Sequence, residues 1–314
     1  MSMGLGFVFP GQGSQSVGML SDIAASYSQV QALFEEAGDA IGQPLWRYVS
    51  EGPDDALVRT EITQPALLTA SVALWRVWCA EGGAQPGCMA GHSLGEYSAL
   101  VCAGALEFAD AVRLVHRRGQ LMQAAVPQGQ GAMAAILGLD DEQVEQACAA
   151  TAGVVSAANY NAPGQVVIAG TAEAVAAAVE ACKTAGARRA ALLQVSGPFH
   201  CALMEPAQEA FAADLQSVAI AAPRVPVVQN VDATVAGDVD GIRSRLLAQI
   251  SRPVLWTACV QTMVGLGVTH LVECGPGKVL SGLIKRIAKE VAASNVGTLD
   301  GLRAALGEAT EGEV

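Results

Sequence analysis

The stretch Gly91-His92-Ser93-Leu94-Gly95 places a serine two residues away from a glycine on each side. An apolar run of strand length, residues 86–90, precedes it, and helix-compatible residues 96–103 follow it. A strand, a tight turn and a helix in this order form the sharp elbow that exposes a nucleophilic serine in many α/β enzymes. Because glycine and serine are also common in ordinary turns, this pattern alone leaves a purely structural turn open. Other residues of the chain are needed to distinguish a nucleophilic serine from a structural turn.

The composition predicts a globular protein with a large core, since 52% of the 314 residues are hydrophobic and only 15% are charged. The eight cysteines form no C-x-x-C pair and lie mostly among apolar residues, which predicts reduced thiols in a cytoplasmic protein. A formal net charge of −12 argues against nonspecific nucleic-acid binding. The longest uncharged stretch, residues 146–172, contains proline and polar residues that a membrane span excludes, so no membrane association is expected.

Alternating strand-like and helix-like runs, among them a helix over residues 19–37 and a strand over residues 225–230, predict an α/β fold of the α/β-hydrolase-like kind, with a parallel sheet flanked by helices. Residues 131–195 break this rhythm with the order β-α-β-β-α-β, which is ferredoxin-like. We therefore predict a large α/β catalytic domain, residues 1–125 and 199–314, that is interrupted by a small inserted ferredoxin-like α+β subdomain, residues 126–198.

A serine hydroxyl needs a neighbouring base, so one of the four histidines is the candidate partner of Ser93. His200 lies on a Gly-Pro loop directly after the predicted subdomain, where functional groups concentrate, although a plain loop histidine is the alternative. The other three have simpler interpretations. We expect His92 to order the turn beside Ser93, His116 to lie on a solvated helix face, and His270 to be a structural histidine at a strand start.

Arg118 lies on the apolar face of a predicted helix over residues 110–125, in line with Val115 and Met122. Its neighbour Arg117 lies on the polar face of the same helix. An inward-facing arginine needs an anionic partner. That partner is either an internal Asp or Glu or a ligand carboxylate held by the paired donors of the guanidinium group.

A glycine-rich stretch, FPGQGSQ at residues 9–15, follows the first predicted strand and matches neither the phosphate-binding loop nor the dinucleotide-binding pattern. Four further motifs follow it in order: GHSLGEYSAL at 91–100, Arg118-Gly119, Gly197-Pro198-Phe199-His200, and ECGPG at 273–277. In these five motifs, and over essentially its whole length, the chain resembles the bacterial malonyl-CoA:acyl carrier protein transacylases, acyltransferases of fatty acid synthesis.

The resemblance implies that a malonyl group passes from malonyl-CoA to the phosphopantetheine thiol of acyl carrier protein through a malonyl-serine ester, without a cofactor or a metal. Ser93 would then be the nucleophile, His200 the base, and Arg118 the partner of the free malonyl carboxylate. The remaining implied site residues are the oxyanion donors Gln12 and Leu94, the carbonyl at Gln249 that orients the histidine, and Met133, Asn161 and His92 along the cleft.

The implied partners are malonyl-CoA and an acidic acyl carrier protein, and the implied enzyme is a monomer. Because this chain is itself acidic, the carrier protein would need a local basic patch. The candidate patch residues are Arg113, Arg117, Arg188, Arg189, Lys285, Arg286 and Lys289.

Two other functions stay open, namely a serine esterase or thioesterase that transfers the acyl group to water, and a noncatalytic acyl-CoA-binding protein. No Ser-acid-His order is evident, and an inward arginine has no purpose for a neutral ester.

Overall fold

Two separate sheets organise the chain. The structure, a computed structural model, describes residues 2–311 and the side chains of residues 4–307. In that part the strands are β1 (Ser2–Phe9), β2 (Pro86–Gly91), β3 (Gly131–Leu137), β4 (Val155–Ala162), β5 (Gln165–Thr171), β6 (Arg189–Leu192), β7 (Val227–Val228), β8 (His270–Glu273) and β9 (Ala292–Asn295). The large sheet has the order β7-β2-β1-β8-β9, and each of its strand pairs is parallel.

Helices cover both faces of the large sheet and also pack on the small sheet. They are α1 (Ser21–Ser26), α2 (Gln29–Ile41), α3 (Leu45–Ser50), α4 (Asp54–Val58), α5 (Thr60–Ala80), α6 (Gly95–Cys102), α7 (Phe108–Ala124), α8 (Asp141–Ala149), α9 (Ala172–Thr184), α10 (Glu205–Ser217), α11 (Val239–Ala248), α12 (Trp256–Gly265), α13 (Val279–Ile287) and α14 (Leu299–Glu311). On β1, Phe7 and Phe9 join one buried cluster with α2, α5 and α7, whereas Val8 joins a second cluster with α12 and α13. Successive side chains of a strand point to opposite faces, so this division confirms a sheet flanked by helices.

The register of the large sheet brings the ends of its central strands to one edge. Phe9 pairs with Gly91, and Val8 pairs with Glu273. Parallel strands end on the same side, so the loops that follow β1, β2 and β8 meet there. This edge is where we expect a ligand to bind in an open α/β sheet.

The small sheet confirms the ferredoxin-like arrangement. Its order is β4-β5-β3-β6, and all three pairs are antiparallel. Helices α8 and α9 pack on it and complete a separate core around Ile136, Val144, Ile168 and Val175. The unit joins the large sheet region through Val254, whose N–H donates to the carbonyl of Ala158 at 2.9 Å.

Some element boundaries differ from the predictions. The single helix predicted for residues 19–37 is two helices, α1 and α2, because Tyr27 between them is extended. The strand predicted for residues 225–230 is reduced to Val227–Val228. Strand β9 was not predicted, since its sequence AASN has little β propensity and its pairing with β8 supplies the order. Across residues 2–311, no helix has both the length and the apolar character needed to cross a bilayer.

Candidate active site

Ser93 lies at the tip of a strained turn between β2 and α6. Its φ angle is 52°, in the left-handed region that non-glycine residues rarely adopt. The flanking glycines make this turn possible. A Cβ added at Gly91 would lie 1.9 Å from the carbonyl carbon of Gly95, and one added at Gly95 would lie 2.0 Å from the carbonyl oxygen of Phe9. Only glycine therefore allows β2, α6 and the end of β1 to approach so closely and to expose the serine hydroxyl.

His200 contacts the serine hydroxyl directly. Its Nε2 lies 2.7 Å from Ser93 Oγ, and its Nδ1 lies 2.7 Å from the backbone carbonyl oxygen of Gln249. A carbonyl only accepts hydrogen bonds, so Nδ1 carries the proton and Nε2 is left to accept the proton of Ser93. Burial, reinforced by the charge of Arg118, lowers the pKa of His200 to about 3. The imidazole is therefore neutral near pH 7, as a base requires.

Gln249 lies behind the histidine and does not line the cavity. It caps the end of α11, and its side chain is fully buried. Its backbone carbonyl orients His200, and its side-chain Oε1 accepts a hydrogen bond from Arg118 Nη2 at 2.8 Å. One residue thus positions both the candidate base and the buried arginine.

Arg118 is buried beside the serine, with 1% of its surface exposed. Its Nη1 donates to Gln64 Oε1 at 2.8 Å, and its Nη2 lies 3.4 Å from Ser93 Oγ. The guanidinium carbon lies 5.5 Å from the ring centroid of Tyr97. Among residues 4–307, no carboxylate oxygen forms a salt bridge with Arg118. The groups it contacts are two amides, a hydroxyl and an aromatic ring, so its charge has no direct anionic partner.

Gly119 explains how α7 reaches this position. A Cβ on Gly119 would lie 2.6 Å from Glu61 Cα and 2.8 Å from the carbonyl oxygen of Thr60. The absence of a side chain therefore lets α7 pack against the first turn of α5. That close packing brings Gln64 of α5 to Arg118 of α7.

A cleft of about 190 Å³ opens above Ser93 between the two sheets. The predicted residues Gln12, His92, Ser93, Leu94, Arg118, Met133, Asn161 and His200 all line it. The apolar part of the lining comes from Met122, Val167, Leu193, Val195, Phe199, Val279, Leu280 and Leu283. The cleft therefore combines one buried cation with an apolar wall.

Gln12 and Leu94 line this cleft, and their N–H groups have no internal partners. Within residues 2–311, neither N–H donates a hydrogen bond to the protein. The N–H of Ser93, by contrast, donates to Asn230 Oδ1 at 2.7 Å. Two free donors beside a nucleophile suit an oxygen that becomes negative during reaction.

His92 joins the two halves of the cleft. Its Nε2 lies 2.8 Å from Asn161 Oδ1 on β4, and its ring stacks at a tilt on Trp256 with 5.5 Å between centroids. Met133 lies on β3 and is buried. The small sheet thus contributes both polar and apolar side chains to the site.

The other two histidines lie away from the cleft. His116 was predicted to be solvated, but it is half-buried and its Nδ1 lies 2.7 Å from the carbonyl oxygen of Glu61. Its partner is the close first turn of α5, which the helix pattern of α7 alone does not reveal. His270 contacts Ser294 Oγ at 2.7 Å, as suits a structural histidine. In the part of the chain with described side chains, no cluster of three or more His, Cys, Asp or Glu residues is placed to hold a metal ion.

Several polar residues of the site were not predicted from the sequence. Glu96, Gln229 and Asn230 are fully buried behind the serine turn, and Gln64 holds Arg118 from α5. Asn230 Nδ2 donates to the carbonyl of Gly91 at 2.7 Å, so this side chain ties both sides of the turn. The one available signal was Glu96, a charged residue in the otherwise uncharged run of α6.

Comparison with known proteins assigns this arrangement to a family. The family model for the acyl transferase domain matches residues 6–299. The chain belongs to the acyl transferase family. Among the members of this family, the malonyl CoA-acyl carrier protein transacylase of Escherichia coli (strain K12) is 57% identical over 302 residues, which are 96% of this chain and 98% of the relative.

Solved structures of acyl transferases match nearly the whole chain. The malonyl-CoA:acyl carrier protein transacylase of Xanthomonas oryzae pv. oryzae has a TM-score of 0.97 and 48% identity, covering 98% of this chain and 99% of its own. A malonyl-transacylase in complex with its type II PKS acyl-carrier protein has a TM-score of 0.96 and 51% identity, covering 97% and 99%. The family resemblance and the fold predicted from the sequence are therefore confirmed.

Proposed function

We propose that this acyl transferase moves a malonyl group from malonyl-CoA to the phosphopantetheine thiol of an acyl carrier protein, and so supplies fatty acid synthesis. The observation that carries the proposal is the placement of Arg118. Its guanidinium is buried within 3.4 Å of Ser93 Oγ and is held by neutral amides. A buried cation without a contacting carboxylate favours an acyl group that brings its own carboxylate, as malonyl does.

The first half-reaction forms a malonyl ester on Ser93. His200 Nε2 accepts the hydroxyl proton while Oγ attacks the thioester carbonyl carbon. The carbon–sulfur bond then breaks, and the CoA sulfur leaves with the proton that His200 returns. The Nδ1–H of His200 donates to the Gln249 carbonyl throughout, which stabilises the positively charged ring between the two proton transfers.

The free N–H groups of Gln12 and Leu94 support a second role in this step. We propose that both donate to the thioester oxygen as it becomes negative. Leu94 follows the nucleophile and precedes α6, so the positive end of the helix dipole adds to its effect. Donors of this kind typically contribute about 3 kcal/mol each to the transition state.

The second half-reaction reverses the first with a different thiol. The carrier protein thiol attacks the ester carbonyl carbon while His200 accepts its proton. The bond between that carbon and Ser93 Oγ then breaks, and His200 returns the proton to Oγ, which regenerates Ser93. This ping-pong order requires only the nucleophile, the base and the anion partner, so we propose that no cofactor takes part. All of these groups come from one chain, which supports a monomeric enzyme.

The proposed docking patch for the carrier protein lies on α13. Its residues Val279 and Leu283 line the cleft, and its Lys285 is exposed. Lys289, also exposed, lies just beyond the end of this helix. Three other basic candidates have side-chain partners in the structure. Arg113 pairs with Asp110 and Arg117 with Asp214, and Arg286 donates to Gln165 and to the carbonyl of Pro163.

The division into domains follows the two sheets. We propose the boundaries predicted above, with residues 126–198 as the inserted subdomain, because its sheet has its own core. We also propose that the protein acts in the cytoplasm, which its eight free cysteines support.

Measuring the acceptor tests the proposed function against a hydrolase. The protein is incubated with malonyl-CoA in the presence and absence of phosphopantetheinylated carrier protein, and malonyl carrier protein and free malonate are both quantified. We expect malonyl carrier protein as the main product. Free malonate as the main product in the presence of carrier protein would assign the site to a thioesterase instead.

A further inference from the structure

Glu96 is a buried carboxylate for which the reaction above has no use. It lies in the first turn of α6 and is fully buried. Three donors point at it. Its Oε1 accepts from Gln229 Nε2 at 3.1 Å, and its Oε2 accepts from the Asn230 N–H at 2.8 Å and from Gln249 Nε2 at 3.0 Å. Each partner offers it a hydrogen, so the geometry suits the ionised form, which only accepts.

This carboxylate sets the direction of the Gln249 side-chain amide. Because Nε2 of Gln249 faces Glu96 and also donates to the carbonyl of Ser93 at 3.0 Å, Oε1 must face the other way. There it accepts from Arg118 Nη2 at 2.8 Å. A reversed amide would put oxygen against carboxylate and NH₂ against guanidinium, and both contacts would be repulsive.

Glu96 is also a negative charge close to the buried cation. The two groups do not form a salt bridge, since the Gln249 amide lies between them. Their charges nevertheless act on each other. The charge of Glu96 opposes the lowering of the Arg118 pKa by burial, and the charge of Arg118 opposes the raising of the Glu96 pKa by burial.

We propose that Glu96 is a positioning residue that holds Arg118 ready for the acyl carboxylate. Through Gln249 it fixes the guanidinium beside Ser93, and it supplies the compensating charge from one residue away. A carboxylate in direct contact would neutralise Arg118 and occupy its donors. Because Glu96 lies one residue away, its charge stabilises the cation in the free enzyme without occupying any of the Arg118 donors. The inference rests on the proposed role of Arg118 in binding malonyl.

Glu96→Gln separates the charge of this residue from its hydrogen bonds. The new carbonyl oxygen still accepts from Asn230 and Gln249 when the new NH₂ faces Gln229. The Oε1 of Gln229 is buried without a hydrogen-bond partner, so rotation of that amide provides an acceptor, with loss of the 3.3 Å hydrogen bond from its Nε2 to the carbonyl of Ile242. The variant therefore keeps the direction of the Gln249 amide and removes the negative charge.

The experiment compares melting temperatures of the free, malonylated and acetylated protein. We expect Glu96→Gln to lower the melting temperature of the free enzyme by about 4 °C, since the Arg118 charge is left uncompensated. Malonylation of Ser93 should then restore most of this loss, because the malonyl carboxylate supplies the missing anion, whereas acetylation should not. The exposed Glu209→Gln serves as the control and should show no such difference.

A double-mutant cycle tests the charge coupling without any substrate. Arg118→Met and Glu96→Gln are made singly and together in the full chain. If Glu96 compensates Arg118, the double variant melts at a higher temperature than the sum of the single effects predicts, and it folds even where Glu96→Gln alone does not.

Additive effects in this cycle, or equal stabilisation of Glu96→Gln by malonyl and acetyl esters, would overturn the proposal. Failure of the proposed function has a different signature. In that case the wild-type protein forms no malonyl ester on Ser93 at all, while the cycle in the free enzyme still reports on the two charges.

Discussion

The guanidinium of Arg118 and the hydroxyl of Ser93 lie 3.4 Å apart, where the arginine is buried and the serine is partly exposed to the cleft. A nucleophile and a cation at this distance impose a geometry on the acyl group. The carbonyl carbon must reach Ser93 while the far end of the chain reaches Arg118, which suits a short diacid thioester. Selectivity and reactivity therefore depend on the same few atoms.

Ser93→Ala is expected to abolish malonyl transfer, because no other hydroxyl among residues 4–307 forms a hydrogen bond with His200. Intact-protein mass spectrometry after incubation with malonyl-CoA should show no added malonyl group, and carrier protein should stay unloaded. Ser14→Ala is the matched control, since Ser14 also lines the cleft, and it should still form the ester. A persistent malonyl adduct on Ser93→Ala would remove Ser93 from the nucleophile role.

Arg118→Ala should weaken malonyl transfer by roughly a hundredfold or more, because loss of one partner of a buried charge pair costs about 2–5 kcal/mol. Acetyl transfer should fall far less, so the ratio of kcat/KM for malonyl-CoA over acetyl-CoA drops. The neighbouring Arg117→Ala removes an exposed arginine of the same helix and should leave this ratio unchanged. Equal loss of malonyl and acetyl transfer in Arg118→Ala would contradict the proposed anion site.

The low pKa of His200 predicts an unusual pH dependence. A histidine with its pKa lowered to about 3 stays neutral above that pH, so acylation should lose no activity through protonation of this base between pH 8 and 5. Rapid-quench measurement of ester formation on the wild type and on Glu96→Gln checks this. The second variant is needed because burial raises the pKa of Glu96 to about 7, within the same window. A fall with an apparent pKa near 6.5 in both proteins would show an ordinary, solvated base.

Gly95→Ala should destabilise the fold strongly, because its Cβ would lie 2.0 Å from the carbonyl oxygen of Phe9. Neither backbone segment can move without shifting β1 or α6. We expect a loss of about 3 kcal/mol or more in the free energy of unfolding, measured by urea denaturation. Gly265→Ala, where a Cβ meets nothing within 4 Å, is the control and should change stability little. Equal stability of the two variants would refute the packing argument for the turn.

Lys285→Glu should slow transfer to carrier protein by roughly threefold or more and should leave acylation by malonyl-CoA unchanged, since charge at the rim of an interface acts mainly on the association rate. The two half-reactions are measured separately at low ionic strength. Lys183→Glu on α9 changes the net charge equally and is the control. If both half-reactions fall together in Lys285→Glu, the carrier protein docks elsewhere.

The main parts of the site could be predicted because each leaves a local pattern. The spacing of Gly91, Ser93 and Gly95 indicates a tight turn. The position of Arg118 on an apolar helix face indicates a cation that points into the protein. The order β-α-β-β-α-β encodes the small sheet. Each element of these patterns depends on residues that are close to one another in the chain, so it can be recognised from the sequence.

The supporting residues could not be predicted, because their roles depend on distant contacts. Asn230 bonds to Ser93 across 137 positions, and Gln249 bonds to Glu96 across 153. The sequence does not distinguish an amide side chain that is buried from one that is exposed. The short strand β9 was missed for a similar reason, since its order comes from β8 rather than from its own residues.

The most direct test of the central claim is acyl-enzyme trapping with malonyl-CoA and acetyl-CoA side by side, in the absence of carrier protein. The modified residue is located by peptide mapping, and the rates of ester formation are compared. We predict a malonyl ester on Ser93 that forms much faster than the acetyl ester. An ester on another residue, or equal rates for the two acyl groups, would contradict the account.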